Sequence, residues 1–399
     1  YEGVQDDDPT TFDDHYWHPG DVGHPLTGAP DRYKRSHGFP TIPGLLAAAT
    51  APFRAEGLTC PWYSCYGNHD GLLQGNAPAV PPFSEIGTGP LKIVGLPAGL
   101  SPNDVTFGLQ EGDPAILGAL VSGPARPVTA DPDRRPIPPA EWAAIHLEDR
   151  GGPGPIGHGF DNRAVDTGEL YYTFELGDEV LGVVLDTVNR GGVAEGSLGQ
   201  AQLDWLEEQL VAVSGRYVDA DGNEVRTGND DRLVVLFSHH NIPTMRNPLP
   251  DPAMPDDRRV LGDEVEAFLH RFPNVIAWVN GHSHKNEVWP RPDPAGVTGG
   301  FWEVNTAAHL DAPQHARIVE VIDNHDGTLS IVGTLVDHAG PAVVDHDDTS
   351  VLGLASLARE LAFNDPQSYW EGSLGAATDR NVELLLTRPF ARTAPPPPT

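Results

Sequence analysis

Two apolar runs in the second half of the chain end directly in histidine-rich segments. The run Leu233–Phe237 is followed by Ser-His-His, whose first histidine is His239. The run Val275–Val279 is followed by Asn-Gly-His-Ser-His, which contains His282 and His284. Continuous apolar runs of this length are typical of parallel strands buried on both faces. Because side chains that follow such strands meet at one edge of an open α/β sheet, we expect an α/β fold with a histidine cluster at that edge.

A third polar segment, Gly-Asn-His-Asp, follows the short aromatic segment Pro61–Tyr66, for which we predict a strand. It contains Asn68, His69 and Asp70, so it adds an amide oxygen and another imidazole to the histidines above. Amide oxygens and imidazoles suit first-row divalent metal ions of borderline softness. One histidine after a strand is more often a surface residue than a ligand, but three such segments in this order indicate a metal site.

Two details of the ligand set stay open in the sequence. His240 is an alternative to His239, which we favour because it follows the strand first. The spacing of His282 and His284 places both imidazoles on one side of an extended segment. In a turn, the same spacing lets each imidazole approach a different metal of a close pair.

The rest of the chain alternates predicted helices, strands and hairpins, which favours an α/β sandwich with mixed sheets. The apolar spacing predicts helices over Thr41–Glu56, Asp113–Val121, Pro139–Leu147, Gln202–Val213, Leu261–Phe272 and Val351–Leu361. The further predicted strands are Leu91–Leu96, Tyr171–Leu176, Val180–Asp186, Phe301–Val304, Arg317–Ile322 and Leu329–Leu335.

The composition divides the chain into one large domain and two irregular ends. Residues 1–37 form an acidic segment without apolar periodicity, and residues 391–399 form a proline-rich tail that we expect to be disordered. Residues 38–390 are predicted to form the domain. Within it, residues 71–168 are rich in proline and glycine and are predicted to be an insertion or cap over the site.

The charge of the chain limits its partners. The formal net charge is −32, and lysine occurs only at Lys34, Lys92 and Lys285. Such an acidic chain repels nucleic-acid phosphates, so no nucleic-acid partner is expected. No apolar stretch reaches the roughly 18 residues of a membrane span. The sequence indicates neither the compartment nor the oligomeric state.

The three polar segments resemble three of the five blocks of the calcineurin-like metallophosphoesterase superfamily. The pattern of that superfamily is Asp-x-His, Gly-Asp-x-x-Asp, Gly-Asn-His-Asp/Glu, a histidine at a strand end, and Gly-His-x-His. Leu185-Asp186-Thr187 with Gln202-x-x-Trp205-Leu206, and Trp302-Glu303-Val304-Asn305-Thr306, also resemble segments of these enzymes. The resemblance covers residues 38–70 and 170–337 and implies a four-layer α/β/β/α sandwich with mixed sheets.

The resemblance implies a hydrolase that uses two divalent or trivalent metal ions, Mn, Fe or Zn. By that resemblance Asn68, His239 and His282 bind one metal, and His284 binds the other. A hydroxide that bridges the two metals attacks a small-molecule phosphate mono- or diester in line with its leaving group. Two cations about 3.5–4 Å apart activate water and hold both the attacking and leaving oxygens in this way.

The resemblance also assigns the catalytic residues. His69 is implied to lie near the leaving-group oxygen, as a proton donor or charge stabiliser. Asp70 is implied to orient the His69 ring. Neither a Gly-x-Ser-x-Gly nucleophile turn nor a Walker-type phosphate loop occurs in the sequence, so the other common hydrolase chemistries lack support.

The first two blocks of the superfamily pattern have no clear counterpart. Asp13-Asp14-His15 and Gly20-Asp21 have similar spacings, but no apolar strand precedes either, and we interpret both as loop residues. We therefore expect the sequence to begin downstream of the first two strands, to have little activity alone and to expose core surface where those strands belong. The alternative is a non-catalytic metal-binding or partner-binding protein that retains the fold. A mononuclear zinc hydrolase is a third possibility, for which the sequence offers no obvious catalytic carboxylate.

Overall fold

The computed structural model describes residues 12–14, 16–101, 104–105, 114–148, 151–365 and 372–391. The strands are β1 (Leu91–Ile93), β2 (Ala125–Pro127), β3 (Tyr172–Gly177), β4 (Val180–Val184), β5 (Leu198–Gly199), β6 (Arg216–Val218), β7 (Glu224–Arg226), β8 (Leu233–Phe237), β9 (Arg259–Val260), β10 (Val275–Asn280), β11 (Glu287–Arg291), β12 (Phe301–Asn305), β13 (Ala316–Asp323), β14 (Thr328–Val336) and β15 (Val382–Thr387). The helices are α1 (Arg32–His37), α2 (Leu45–Ala49), α3 (Asn68–Gly71), α4 (Phe83–Thr88), α5 (Pro114–Leu120), α6 (Pro139–His146), α7 (Asn162–Thr167), α8 (Gln200–Ala212), α9 (Gly262–Leu269) and α10 (Val351–Asn364). Short 3₁₀ turns lie at Pro132–Arg134, Ile242–Thr244 and Ala377–Asp379.

A six-stranded mixed sheet lies at the centre, in the order β11-β12-β10-β8-β4-β3. The four inner strands are parallel to one another, and the two outer strands are antiparallel to their neighbours. The predicted mixed α/β architecture is confirmed at this level. Because the inner strands are parallel, the segments that follow β8 and β10 leave the sheet at the same edge.

Helices α8 and α9 cover one face of the central sheet. In α8, Leu206 and Leu210 are one helical turn apart and fully buried, as expected for one apolar face. They join Trp278 of β10 and Leu269 of α9 in the largest core cluster. Each such leucine contributes about 1.5–3 kcal/mol to folding, so this helical layer fixes the sheet beneath the site.

The second face of the central sheet packs against the antiparallel sheet β13-β14-β15. Val235 and Ala277 of the first sheet meet Ile331 and Leu384 of the second in a buried cluster. The outward-facing Ile318 of β13 is exposed. In the described residues the chain therefore forms helix, sheet and sheet layers, and the fourth layer of the expected sandwich is not seen over this face.

Helix α10, which could have supplied that layer, packs elsewhere. Its Leu357 joins Ile42 and Leu45 in a separate buried cluster, against which Trp17 also packs. The N-terminal segment, predicted as an irregular loop, is thus held against the C-terminal helix.

The sequence-based prediction is wrong for the helix expected over 41–56 and the strand expected over 61–66. The helix expected over Thr41–Glu56 is reduced to α2, because Pro43 and Gly44 precede it and Pro52 follows it. Phe53, expected on its apolar face, is 84% exposed. The aromatic segment Pro61–Tyr66 is not part of a strand. The Ser64 N–H donates a 2.9 Å hydrogen bond to the His158 carbonyl, and the Ser64 carbonyl accepts one of 2.7 Å from the Tyr172 hydroxyl.

Elsewhere the expected elements are found within a few residues. The β3–β4 and β13–β14 hairpins form as predicted, and Gly327 in the second turn has φ +91°. The elements that were not predicted are strands β2, β5, β6, β7, β9, β11 and β15 and helices α1, α3, α4 and α7. His15, Asp113 and residues 392–399 lie outside the described residues, whereas Asp13, Asp14 and Asp21 lie in loops.

Among the described helices, none is long and apolar enough to cross a membrane.

Candidate metal centre

Three donor atoms from distant parts of the chain converge at the carboxyl edge of the central sheet. Nε2 of His239 lies 2.7 Å from Oδ1 of Asn68 and 3.0 Å from Nδ1 of His282. Ligand atoms about 2.0–2.1 Å from a tetrahedral ion lie roughly 3.3 Å from one another, so the observed spacing is close to that of a ligand set. The structure thus brings together Asn68, His239 and His282.

The local sequence around Asn68 explains how its amide is oriented. Its Nδ2 donates a 2.8 Å hydrogen bond to the carbonyl of Gly75, which leaves Oδ1 facing the histidines. Gly75 has φ +72°, and a Cβ at this position would lie 2.7 Å from Nε2 of His69 and 2.8 Å from Nδ2 of Asn68. Gly67 lies similarly close to His239, because a Cβ at position 67 would be 3.0 Å from Nδ1 of that histidine. A Cβ at either position would therefore press on side chains of the cluster, and glycine avoids that contact.

The segment after β10 turns sharply and separates its two histidines. His282 and His284 both have left-handed backbone, with φ +61° and +57°. The N–H of Gly281 donates a 3.0 Å hydrogen bond to the carbonyl of His239, which ties this turn to the end of β8. In this turn His282 joins the cluster, whereas His284 points to the Asp311 carboxylate.

Burial keeps the clustered imidazoles neutral. Burial first, and then the neighbouring His282, lower the pKa of His239 to about 3. Burial and the nearby His284 lower the pKa of His282 to about 4. Neutral imidazole is the form that binds metal ions, so at neutral pH both rings are ready to act as ligands.

His240 lies in the same cluster but already uses both ring nitrogens. Its Nδ1 is 2.8 Å from the Thr187 hydroxyl, and its Nε2 is 2.7 Å from the Ala194 carbonyl. A carbonyl only accepts, so Nε2 carries the proton and Nδ1 accepts from Thr187. His240 is fully buried, and its ring centroid lies 4.2 Å from that of His282. This arrangement favours His239 as the ligand and His240 as a packed support.

A buried carboxylate, which the sequence did not single out, supports the two strand ends. Oε1 of Glu303 accepts hydrogen bonds of 2.8 Å from the Ile242 N–H and from the Asn280 amide. Its Oε2 accepts a 2.9 Å bond from Arg291. Glu303 is fully buried on β12 and so links the segments that carry His239 and His282.

His69 and Asp70 lie beside the cluster with different contacts. His69 is exposed and lies against Gly75, close enough to His239 and His282 to interact electrostatically with both. The Asp70 carboxylate accepts a 2.8 Å hydrogen bond from the Gly67 N–H at the start of α3, and burial raises its pKa. Asp70 therefore fixes the backbone of the segment, and its interaction with the His69 ring is electrostatic.

His284 lies outside the three-donor set. It is partly exposed and is paired with Asp311, a residue that sequence analysis did not identify. Asp311 follows β12, which is parallel to β10, and that position was the available signal. Within the described part of the chain, His239, His240 and His282 are the one group of three histidine, cysteine or acidic side chains close enough to share an ion. The donor atoms of Asn68, His239 and His282 fit one metal ion. The binding of a second ion by His284 stays a prediction.

Comparisons with known proteins add little. No protein-family model and no curated protein matches the chain. Among solved structures, the chain is similar to a dimetal phosphatase from Danio rerio, with a TM-score of 0.23 and 12% sequence identity. The similarity covers 43% of this chain and 59% of that one, so the chain spans less than two thirds of its length. A similarity this low assigns neither fold nor activity.

Proposed function

We propose that this protein is a metal-dependent phosphoesterase that hydrolyses a small phosphate mono- or diester. The observation that carries the proposal is the position of His239 Nε2, which lies 2.7 Å from Asn68 Oδ1 and 3.0 Å from His282 Nδ1 although the three residues are far apart in sequence. An amide oxygen with two neutral imidazoles is a donor set for Mn, Fe or Zn. A bound ion supplies charge stabilisation at the phosphoryl oxygens and activates water.

The chain's own residues divide the remaining tasks. Asn68 and the two histidines would hold the ion, and Glu303 and His240 keep the strand ends that carry these histidines in place. His69 stands exposed beside Asn68, where it holds a proton for the leaving-group oxygen. General acids of this kind contribute typically 10²–10⁴-fold to a rate. Asp70 keeps the segment of His69 folded through its bond to the Gly67 N–H.

The proposal is tested by metal binding and turnover measured on the same variants. We expect the chain to bind Mn²⁺ or Zn²⁺ in calorimetry and to hydrolyse a generic aryl phosphate slowly, and only when the metal is bound. His282→Ala should abolish both properties. His346→Ala is the matched control. His346 lies in the loop after β14, where it pairs with Glu360 of α10, and it is not part of the cluster.

The outcomes separate the proposal from its alternative. Metal binding that depends on His282, without hydrolysis of any mono- or diester, would favour the non-catalytic metal-binding protein. Hydrolysis that survives His282→Ala would remove this cluster from the active site. His69→Ala should lower turnover without changing metal affinity, because His69 is not one of the three converging donors.

A further inference from the structure

A cavity of about 580 Å³ opens beside His284. Small-molecule sites commonly have volumes of about 300–1,000 Å³, so this space suits one small organic group. Its lining includes His284 and Lys285 from the turn after β10, and Trp17, Tyr33 and Phe39 from the N-terminal segment. The cavity thus extends from the turn that carries the candidate metal ligand His282 to a group of aromatic rings.

The aromatic part of the lining is fixed in place. Phe39 contacts Trp17 and Tyr33 edge to face, with ring centroids 5.6 Å and 5.1 Å apart. Nε1 of Trp17 donates a 3.0 Å hydrogen bond to the Pro40 carbonyl, so the polar atom of the indole is satisfied inside the protein. Trp17 also packs against the cluster that contains Leu357 of α10. The aromatic rings give this side of the cavity an apolar wall, which suits a flat ring.

Lys285 gives the cavity a positive group. Lys34 donates to the Gly20 carbonyl, and the Lys92 ammonium lies 5.0 Å from the centre of the Tyr16 ring. The Lys285 ammonium, by contrast, makes no hydrogen bond or ion pair with any residue that the structure describes. Two carboxylates, those of Asp311 and Asp365, also line the cavity, and the Asp311 carboxylate is paired with His284. In a chain with 57 acidic residues, a lysine without such a partner beside a candidate metal site is placed to meet an anion.

We infer that this cavity binds the organic group of the substrate and that this group is a flat aromatic ring, as in an aryl or nucleoside phosphate ester. The inference rests on the proposed function, because it places the phosphate at the metal cluster. The ring then contacts the Trp17, Tyr33 and Phe39 wall, and Lys285 holds a phosphate oxygen. The N-terminal segment, which looked like an acidic surface loop, becomes a specificity element.

Equilibrium binding tests the inference without turnover. The ligands are 1-naphthylphosphonate and methylphosphonate, which carry the same charged group and resist hydrolysis, added to the full Mn²⁺-loaded chain. We expect naphthylphosphonate to bind at least tenfold more tightly. Trp17→Leu should reduce that preference to less than threefold, whereas Trp289→Leu, which alters a tryptophan of β11 outside the cavity, should leave it intact.

A second variant of the cavity shows whether loss of the preference reflects a folding defect in Trp17→Leu. Ala362→Trp adds bulk to the cavity lining from α10 without removing a core side chain, and it should also abolish the preference for naphthylphosphonate.

The contact between Lys285 and the phosphonate group is tested separately. Lys285→Met should weaken the binding of both ligands about tenfold. Arg226→Met, which removes an exposed charge from β7, should weaken the binding of neither.

Equal affinities of the two phosphonates for the unmodified chain would overturn the inference, as would a preference that survives both Trp17→Leu and Ala362→Trp. Failure of the proposed function gives a different result. In that case naphthylphosphonate still binds selectively, but no phosphate ester is hydrolysed by the loaded protein.

Discussion

Arg190 donates a 2.6 Å hydrogen bond to the buried carboxylate of Asp186, four residues before it and just beyond the end of β4. The same guanidinium lies 3.5 Å from Asp251, which is also buried. Arg190 thus pairs with two acidic groups at the sheet edge that carries the metal cluster, and Arg259 is close enough to interact electrostatically with both. Breaking such a buried pair costs about 3–5 kcal/mol, because the remaining charge has no partner.

Arg190→Met should therefore lower the free energy of unfolding by about 3 kcal/mol, measured by urea denaturation. Arg226→Met is the control: its ion pair with Glu224 is exposed, so the change should stay within about 1 kcal/mol. Equal effects of the two substitutions would show that Asp186 and Asp251 are not buried as charged groups.

Gly75→Ala should disrupt the metal cluster. The added Cβ would lie within 2.8 Å of both His69 and Asn68, so the Asn68 amide must move. We expect metal affinity, measured by calorimetry, to fall at least tenfold. Gly222→Ala is the matched control, since Gly222 also has positive φ but has nothing within 4 Å of the new atom. It should cost about 1–2 kcal/mol of backbone strain and leave metal affinity unchanged. Similar metal affinities for the two variants would contradict the packing described at Gly75.

The choice between His239 and His240 can be tested directly. His239→Ala removes a converging donor and should lower metal affinity at least 100-fold. His240→Ala removes a ring whose nitrogens are already bonded to Thr187 and Ala194, so it should lower stability and reduce metal affinity no more than tenfold. The reverse order of the two affinities would make His240 the ligand.

Glu303→Gln should affect both stability and the cluster. The substitution removes the fully buried charged partner of Arg291, which then keeps only its 3.3 Å contact with Glu266, and should cost about 3 kcal/mol in urea denaturation. It also weakens the bonds that hold Ile242 and Asn280, so metal affinity should fall about tenfold. Glu224→Gln, at an exposed position on β7, should change neither quantity. Unchanged metal affinity in Glu303→Gln would limit this residue to a structural role.

The sequence predicted the second half of the chain well, because its patterns are local. The apolar run Leu233–Phe237 matches β8, and the Asp-Gly turn sets the β13–β14 hairpin. The first half depends on contacts that no local pattern records. Trp17 and Phe39 carry no periodic signal, and they become ordered through long-range contact with α10 and with each other.

The candidate site likewise contains residues that local sequence patterns predicted and residues that they did not. Asn68, His239 and His282 were predicted from what precedes them in sequence, and the structure places their donor atoms together. Glu303 was missed because an acidic residue within a strand has no distinguishing neighbours, and Asp311 was missed although it follows strand β12. The sequence also left open whether His282 and His284 point to the same side. They do not, because both residues have left-handed backbone although neither is glycine.

Asn68 and His239 are 171 positions apart, and they join the irregular first half of the molecule to its regular second half. An ion shared by these two side chains closes that whole length of polypeptide into a ring, and closing a ring restricts the unfolded chain as a crosslink does. Stripping the ion should therefore loosen the Gly-Asn-His-Asp segment first and leave the six-stranded sheet folded. Protease cuts in the chelated protein should then fall near Gly75 before they reach β8.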